Sequence, residues 1–388
     1  MHQVRVAGTG LTPFGRHPDT PSRALFGEAG GAAVDDAGLA PGDVDAVYLG
    51  NYMGAVAESQ GHMAPLAAEA VGTTAPATRY EDACASAGVA ARAAVQDVRC
   101  GAVDVALVGG VERMTHLDTP AATAGLAAAA DDRHEVSAGL TFPGAYALMA
   151  DAYFDRFDAD RRDLAHVAVK NHRHGADNPY AQFQREITVE EALDAPMIAD
   201  PLGLYDACPF SDGAAALVLA SDAAVDERGL DAPVAITGSG QGGDTLALQD
   251  RASLTETPAT AAAARDAFEE AGVGPDDVDV AEVHDCFTVA EALALEALGF
   301  YEPGEAAGAA RRGETARGGR IPTNLSGGLK AKGHPVGATG AGQLVDLVKV
   351  LTGVRDAGAG AGGARVGLAH NAGGSVASAV VHVLEVVA

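Results

Sequence analysis

The chain has 388 residues, 48% of them hydrophobic, enough for two or three domain-sized units and a substantial buried core. Acidic residues number 53 against 26 basic, a net charge of −27; a surface this acidic repels nucleic acid and anionic membranes and excludes a binding module for either. Only Lys170, Lys330, Lys332 and Lys349 are lysines, and an acid-rich, lysine-poor surface suits a cytoplasm of high salt, where screening removes the self-repulsion, so a halophilic source is expected.

The first segment, VRVAGTG (4–10), reads as a strand running into a glycine turn, not as a signal peptide. The longest uncharged Ala-rich run, TPAATAGLAAAA (119–130), falls short of the about 18 apolar residues that a spanning helix needs. A cytoplasmic protein is expected. Cys84, Cys100, Cys208 and Cys286 are scattered with no CxxC pair, which fits neither a disulfide framework nor a zinc site.

Next come an Ala-rich helix, LFGEAGGAAVDD (25–36), and AGLAPGDVDAVYLGN (37–51), a turn and strand that return far downstream. AGVGPDDVDVAEVHD (271–285) aligns with it without gaps and follows a similar helix, AAAARDAFEE (261–270). That helix in turn follows the glycine-ended strand VAITGSG (234–240). The later strands echo too: VDVALVGGVERM (103–114) pairs with ARVGLAHNAGG (364–374), and DGAAALVLAS (212–221) with SVASAVVHVLEV (375–386). The repeat predicts two similar α/β halves about a pseudo-twofold axis, with sheets covered by helices. The small-residue helices SAGVAARAAVQDV (86–98) and GATGAGQLVDLVKVL (337–351) are expected to be sandwiched between the two sheets. The expected boundaries are 1–114 with 206–230 for the first half, 115–205 for an inserted loop domain and 231–388 for the second half.

Four stretches carry chemistry. In EDACASAGVA (81–90), Cys84 sits among small residues at the start of a helix. There the macrodipole and free N–H groups favour a thiolate and can hold an oxyanion, although a buried structural thiol is the commoner role for such a cysteine. In VHDCFT (283–288), His284 and Cys286 alternate along an extended segment and can project to one side; the first repeat, LGNYMG, has neither residue. In GGLKAKGHPVGATGAG (327–342), His334 lies in a glycine-dense loop before a helix. Lys330 and Lys332 put half of the lysines on that loop, which points to an anionic ligand nearby. AHNAGGS (369–375) is a strand-end turn offering backbone N–H groups.

In order and spacing, CASAG, HDCF, GHPVGATG and the C-terminal glycine turn resemble the thiolase superfamily over essentially the whole chain, most closely its sterol-carrier-protein-type and archaeal members. The resemblance implies the thiolase fold: two duplicated βαβαβαββ halves in a five-layered αβαβα sandwich, plus the inserted loop domain. It further implies acyl transfer between coenzyme A thioesters by Claisen condensation or thiolytic cleavage, with acetoacetyl-CoA thiolase as the expected activity. In that reading Cys84 is acylated, His334 takes its proton, Cys286 is the second acid/base and His284 polarises the thioester carbonyl. The N–H groups of Cys84 and Gly373 form an oxyanion hole, Lys330 and Lys332 contact coenzyme A, and no cofactor or metal is used. Many thiolases carry an acid/base cysteine in a C-terminal CxG turn; here the turn is Asn371 to Gly373, so that duty passes to Cys286. A homodimer or tetramer is expected, with a small OB-fold zinc-ribbon protein and hydroxymethylglutaryl-CoA synthase as partners. The rival readings are a ketoacyl synthase, a hydroxymethylglutaryl-CoA synthase and a non-catalytic subunit of a thiolase complex.

Overall fold

The computed structural model describes residues 2–358 and 363–387. The first half runs β1 (Val4–Leu11), α1 (Ser22–Asp36), β2 (Ala46–Gly50), α2 (Gly54–Ala57), α3 (Met63–Val71), β3 (Ala77–Tyr80), α4 (Ser86–Arg99) and β4 (Val105–Glu112). A largely helical stretch follows: α5 (Thr119–Ala127), α6 (Phe142–Arg156), α7 (Arg161–Ala176), α8 (Val189–Asp194) and the small hairpin β5 (Met197–Ala199) and β6 (Leu202–Gly203). After β7 (Gly213–Ser221) and α9 (Asp222–Arg228) comes β8 (Val234–Gly243), which opens the second half. It continues through α10 (Pro258–Ala271), β9 (Val280–Glu282), α11 (Thr288–Ala297), α12 (Gly328–Ala331), α13 (Thr339–Leu351), β10 (Val366–Gly373) and β11 (Ser378–Val386).

The duplication is visible at the level of single hydrogen bonds. The helices α1 and α10 are each followed by a left-handed glycine, Gly38 at φ 68° and Gly272 at φ 73°, where a side chain would be strained. A proline then opens one helical turn, Pro41–Asp43 or Pro275–Asp277. Its aspartate reaches back to a free N–H: Ala40 N–H donates to Asp43 and Gly274 N–H to Asp277, both at 2.8 Å. Each turn feeds a strand, β2 or β9.

The strands form one nine-stranded sheet in the order β3-β2-β4-β7-β1-β8-β11-β10-β9. The two halves join where β1 pairs antiparallel with β8, Val4 opposite Ile236. β2 lies parallel to β3 and β4, and β9 parallel to β10; the other pairings are antiparallel. The two expected sheets are thus one, made continuous by the β1–β8 pairing, and between its two strand layers lie α4 and α13, which touch strands of both halves. Three apolar cores separate the layers: α1 and α3 on one outer face, α4 and α13 in the centre, α10 and α11 on the other outer face. This is the αβαβα layering. Centrally the two helices meet backbone to backbone: a methyl group on Gly340 would overlap the Gly88 main chain. No helix among the described residues is long and apolar enough to cross a membrane.

The elements between β4 and β7 cap the second half. The helix α6 packs on α11, and α7 packs on α11 and α12. Tyr146 and Tyr153 on α6 are fully buried there, and burial of a large apolar side chain contributes ~1.5–3 kcal/mol each. This seating brings one face of α6 over the segment that carries Cys286.

Candidate active site

Cys84 occupies the tight turn from β3 into α4, two residues before that helix begins. Ala83 takes a left-handed conformation, φ 47°, and the turn is clamped around it. Asp82 N–H donates to Ser86 Oγ at 3.0 Å, Ser86 Oγ–H to Ala83 O at 2.6 Å, and Ala83 N–H to Glu81 Oε1 at 2.8 Å. The backbone is thus strained at the residue just before the sulfur.

Opposite it are two histidines from the second half. One ring nitrogen each of His284 and His334 and the Cys84 sulfur lie within 4.8 Å of one another. The rings meet edge to face, centroids 5.0 Å apart at 84°. Their hydrogen bonds assign opposite tautomers. Asn371 Nδ2 is 3.1 Å from the Cys84 carbonyl oxygen, which only accepts, so this atom is the amide nitrogen. The same nitrogen lies 3.1 Å from His284 Nδ1, which must therefore accept, leaving the proton on Nε2. That Nε2–H is buried and unpartnered, a donor awaiting an acceptor. On His334 the logic reverses. Thr339 Oγ1–H donates to Pro335 O at 3.1 Å, so Oγ1 accepts from His334 Nδ1–H at 2.7 Å and Nε2 keeps a free lone pair. Burial pushes His334 down to about 3 and, with His334 and His370 nearby, holds His284 well below the usual imidazole range; both rings are neutral at working pH. One imidazole is built to give a hydrogen bond and the other to take a proton. A cysteine and two histidines would also suit a soft cation, but the tautomers leave only one free imidazole lone pair.

Cys286 is buried and lines the same cavity as Cys84 and His334. Between it and His284, Asp285 turns away to accept from Asn171 Nδ2 at 2.7 Å and from Leu329 N–H at 2.6 Å. This anchors the segment to α7 and to the loop before His334. The Tyr146 hydroxyl is within hydrogen-bonding reach of the Cys286 sulfur. Glu112, at the end of β4, gathers Asn51 Nδ2 and the Tyr52, Met53 and Gly337 N–H groups at 2.9–3.1 Å, tying the His334 loop to the first half. The cavity encloses about 390 Å³. Its walls are apolar, from Leu126 and Phe142 inside to Ile198, Leu204 and Phe210, exposed large hydrophobics, at its mouth.

Two expectations change. Burial pushes the Cys84 thiol up and Cys286 adds to it, outweighing the N–H group facing the sulfur, so resting Cys84 is a thiol and not the thiolate expected of a helix start. That N–H belongs to Gly374; Gly373, expected to face an acyl oxygen, is the last residue of β10, paired with Ser378 and next to Asp82 O. Lys330 and Lys332 are buried and do not line the cavity. Lys332 is paired with Asp346 and lies over the Phe14 ring at 4.6 Å. Lys330 lies over Phe183 and Tyr205, and burial pushes it down to about 8. Their scarcity reflects internal use, not a surface for an anion. Sequence reading missed Tyr146, Thr339 and the role of Asn371. The first lies in a stretch without motif, and the hydrogen bonds of the other two appear only in three dimensions.

Comparison with known proteins agrees with this geometry. Residues 4–223 match the family model "Thiolase, N-terminal domain" and residues 240–386 match "Thiolase C-terminal domain-like". The chain is 43% identical over 387 residues to the acetyl-CoA acetyltransferase of Methanothermobacter thermautotrophicus, covering 99% of this chain and 100% of that one. It is 32% identical over 389 residues to human (Homo sapiens) sterol carrier protein 2, covering 96% of this chain and 70% of that one. A solved structure, the Ltp2-ChsH2(DUF35) aldolase, superposes with a TM-score of 0.83 at 26% identity over 98% of this chain and 97% of that chain. From its cysteine turn to its C-terminal strands, the chain belongs to the thiolase family.

Proposed function

We propose that the protein is an acetyl-CoA C-acetyltransferase that forms and cleaves acetoacetyl-CoA through an acetyl-Cys84 intermediate. One observation carries the reading: the Cys84 sulfur lies with a neutral base and a neutral hydrogen-bond donor within 4.8 Å, at the end of an apolar cavity that a second thiol also lines.

In the first half-reaction His334 Nε2 takes the Cys84 proton as the sulfur attacks the thioester carbonyl. His284 Nε2–H and the resulting imidazolium hold the developing oxyanion. The departing coenzyme A thiolate takes the Cys286 proton. In the second, the Cys286 thiolate removes an α-proton from a second acetyl-CoA. The C–H electron pair becomes the enolate, which attacks acetyl-Cys84. Collapse expels the Cys84 thiolate, which recovers its proton from His334. Covalent catalysis divides one difficult bond formation into two steps of lower barrier. The narrow apolar cavity accommodates a pantetheine arm and keeps water from the acyl-enzyme.

A cytoplasmic setting of high salt, a homo-oligomer and an OB-fold zinc-ribbon partner belong to the same proposal. The net charge of −27 supports the first, and the DUF35 component of the aldolase relative supports the last. The test is purified protein at high salt, assayed with acetoacetyl-CoA or longer ketoacyl-CoAs and free coenzyme A. Acetoacetyl-CoA is expected to be the best substrate. C286A is expected to acylate at Cys84 but not condense, whereas C84A does neither. A condensing C286A would point instead to another condensing enzyme of this fold.

A further inference from the structure

Tyr146 comes from the inserted stretch, yet it reaches the catalytic sulfurs. It is 1% exposed, and its ring stacks on Phe287 with centroids 4.6 Å apart at 23°. Its hydroxyl donates to Gly374 O at 3.1 Å and is within reach of the Cys286 sulfur. Gly374 is also the residue whose N–H faces Cys84. Tyr146, Gly374 and both sulfurs line one cavity.

A hydroxyl has one hydrogen to give and lone pairs to accept with. With Cys286 as a thiol, its S–H donates to the Tyr146 oxygen while Tyr146 O–H points to Gly374 O. With Cys286 as a thiolate, the sulfur only accepts, and the hydroxyl hydrogen turns to it. We propose that Tyr146 is the acid/base partner of Cys286, its hydroxyl hydrogen alternating between Gly374 O and the Cys286 sulfur as that sulfur gives up and regains its own proton. This rests on Cys286 being the second acid/base. No proton leaves Tyr146: the substrate C–H bond breaks, an S–H bond forms, and the phenol reorients. A charge-assisted hydrogen bond of this kind makes an otherwise unfavourable buried thiolate accessible. Burial pushes Cys286 up to about 12, with Tyr146 the largest influence in the other direction. Asp285 raises it further, Cys84 and Cys208 line the same cavity, Arg251 acts on Tyr146, and Lys330 acts on Cys208. Removing one oxygen at residue 146 leaves all of these in place.

The experiment is exchange of the acetyl-CoA α-hydrogens with deuterated water, followed across pH for wild type, Y146F and C286A. Intact-mass detection of acetyl-Cys84 in each sample reports a folded site. Y146F keeps the ring stack, and its exchange rate is expected to fall roughly tenfold to a hundredfold, the worth of one hydrogen bond to a charged group. Its rising limb is expected to move up by about one pH unit or more. A fluorinated tyrosine at 146, whose hydroxyl is a stronger donor, is expected to move the limb down, and it decides the matter should Y146F not fold. An unchanged limb in the variant that folds, with C286A inactive, overturns the role of Tyr146 alone. Exchange surviving in C286A removes the Cys286 assignment and this inference with it.

Discussion

Thr339→Val tests the tautomer argument where it is sharpest. The substitution removes the oxygen that accepts His334 Nδ1–H at 2.7 Å and keeps the branched shape in a fully packed site. Pro335 O, the other partner of that hydroxyl, still accepts from Ala338 N–H at 2.8 Å, so the loop retains its turn. What changes is the imidazole. Its Nδ1–H is left buried without an acceptor, at a cost of about 1–3 kcal/mol. The ring avoids this by moving its hydrogen to Nε2, where Cys84 can no longer use the lone pair. The competent tautomer then loses roughly five- to a hundredfold in population, and the rate of Cys84 acylation falls by the same factor. Rapid-quench mixing with acetyl-CoA, followed by intact mass, measures it directly. Thr339→Ser restores the oxygen and is expected to recover most of the rate. A valine variant that acylates like wild type, or a serine variant as slow as the valine one, refutes the assignment of His334 Nε2 as the base.

Lys332→Met removes the cation paired with buried Asp346, leaving it Arg355 at 3.3 Å and the more distant Lys349. A loss of up to about 3–5 kcal/mol is expected in denaturant unfolding, with KM for acetyl-CoA unchanged below the transition; a raised KM at unchanged stability would return Lys332 to ligand binding. Gly340→Ala drives a methyl group into Asn371 Oδ1 and the Gly88 backbone nitrogen. It is expected to cost at least about 1–3 kcal/mol by melting and to slow acylation, because Asn371 must shift away from His284. Acid is expected to unfold the protein steeply. His172, His174, His284, His334, His370 and His382 are all buried with values pushed below the ordinary 6.5, most to about 3 or 4. Between those values and 6.5 the unfolded chain binds protons that the folded chain refuses, so stability rises with pH there and is lost as pH falls from about 6.5. Glu112, Glu282 and Asp285, pushed up to about 7 by burial, act in the opposite sense, and Asp82, Asp206 and Glu296, also raised by burial, add to them; the imidazoles prevail because all six are shifted down across the whole of this window. Urea titrations at pH 7, 6 and 5 measure the slope, and a midpoint that does not fall between 6 and 5 contradicts it.

The large features were legible because each rests on local chemistry. The repeat could be read because its helix-stopping glycine and its Pro-x-Asp turn are needed wherever that turn is built, and the structure repeats even the 2.8 Å aspartate bonds. The central helices could be read because two backbones meet only where side chains are missing, as at Gly88 and Gly340. The charge state of Cys84 was misjudged for a reason equally physical. A helix start favours a thiolate only where water or a cation helps, and here burial dominates. Lys330 and Lys332 misled because scarcity was read as exposure, when both charges face inward onto aromatic rings. Tyr146 had no signal at all, since its meaning depends on how α6 seats on α11.

The division of labour between the halves follows from one pair of positions. In the first half, parallel pairing of β2 with β4 sets Gly50 opposite Gly110. The repeat alignment and the parallel pairing of β9 with β10, Glu282 opposite Ala369, put His284 and Asn371 at the matching positions of the second. The two pairs solve different problems. Any side chain at Gly50 or Gly110 would strike the backbone of Gly337, and at Gly50 that of Ala87 as well. The glycines are therefore what lets the His334 loop descend onto the first half and reach Cys84. At the matching place in the second half it is the Cys84 turn that approaches, and there the pair carries the imidazole that faces the sulfur and the amide that sets its tautomer. A symmetric ancestor with histidine in both places would hold the loop away from the sulfur, and one with glycine in both would lack the carbonyl-polarising donor. The acyl transfer proposed for Cys84 thus requires the halves to differ at this pair, however alike they remain elsewhere.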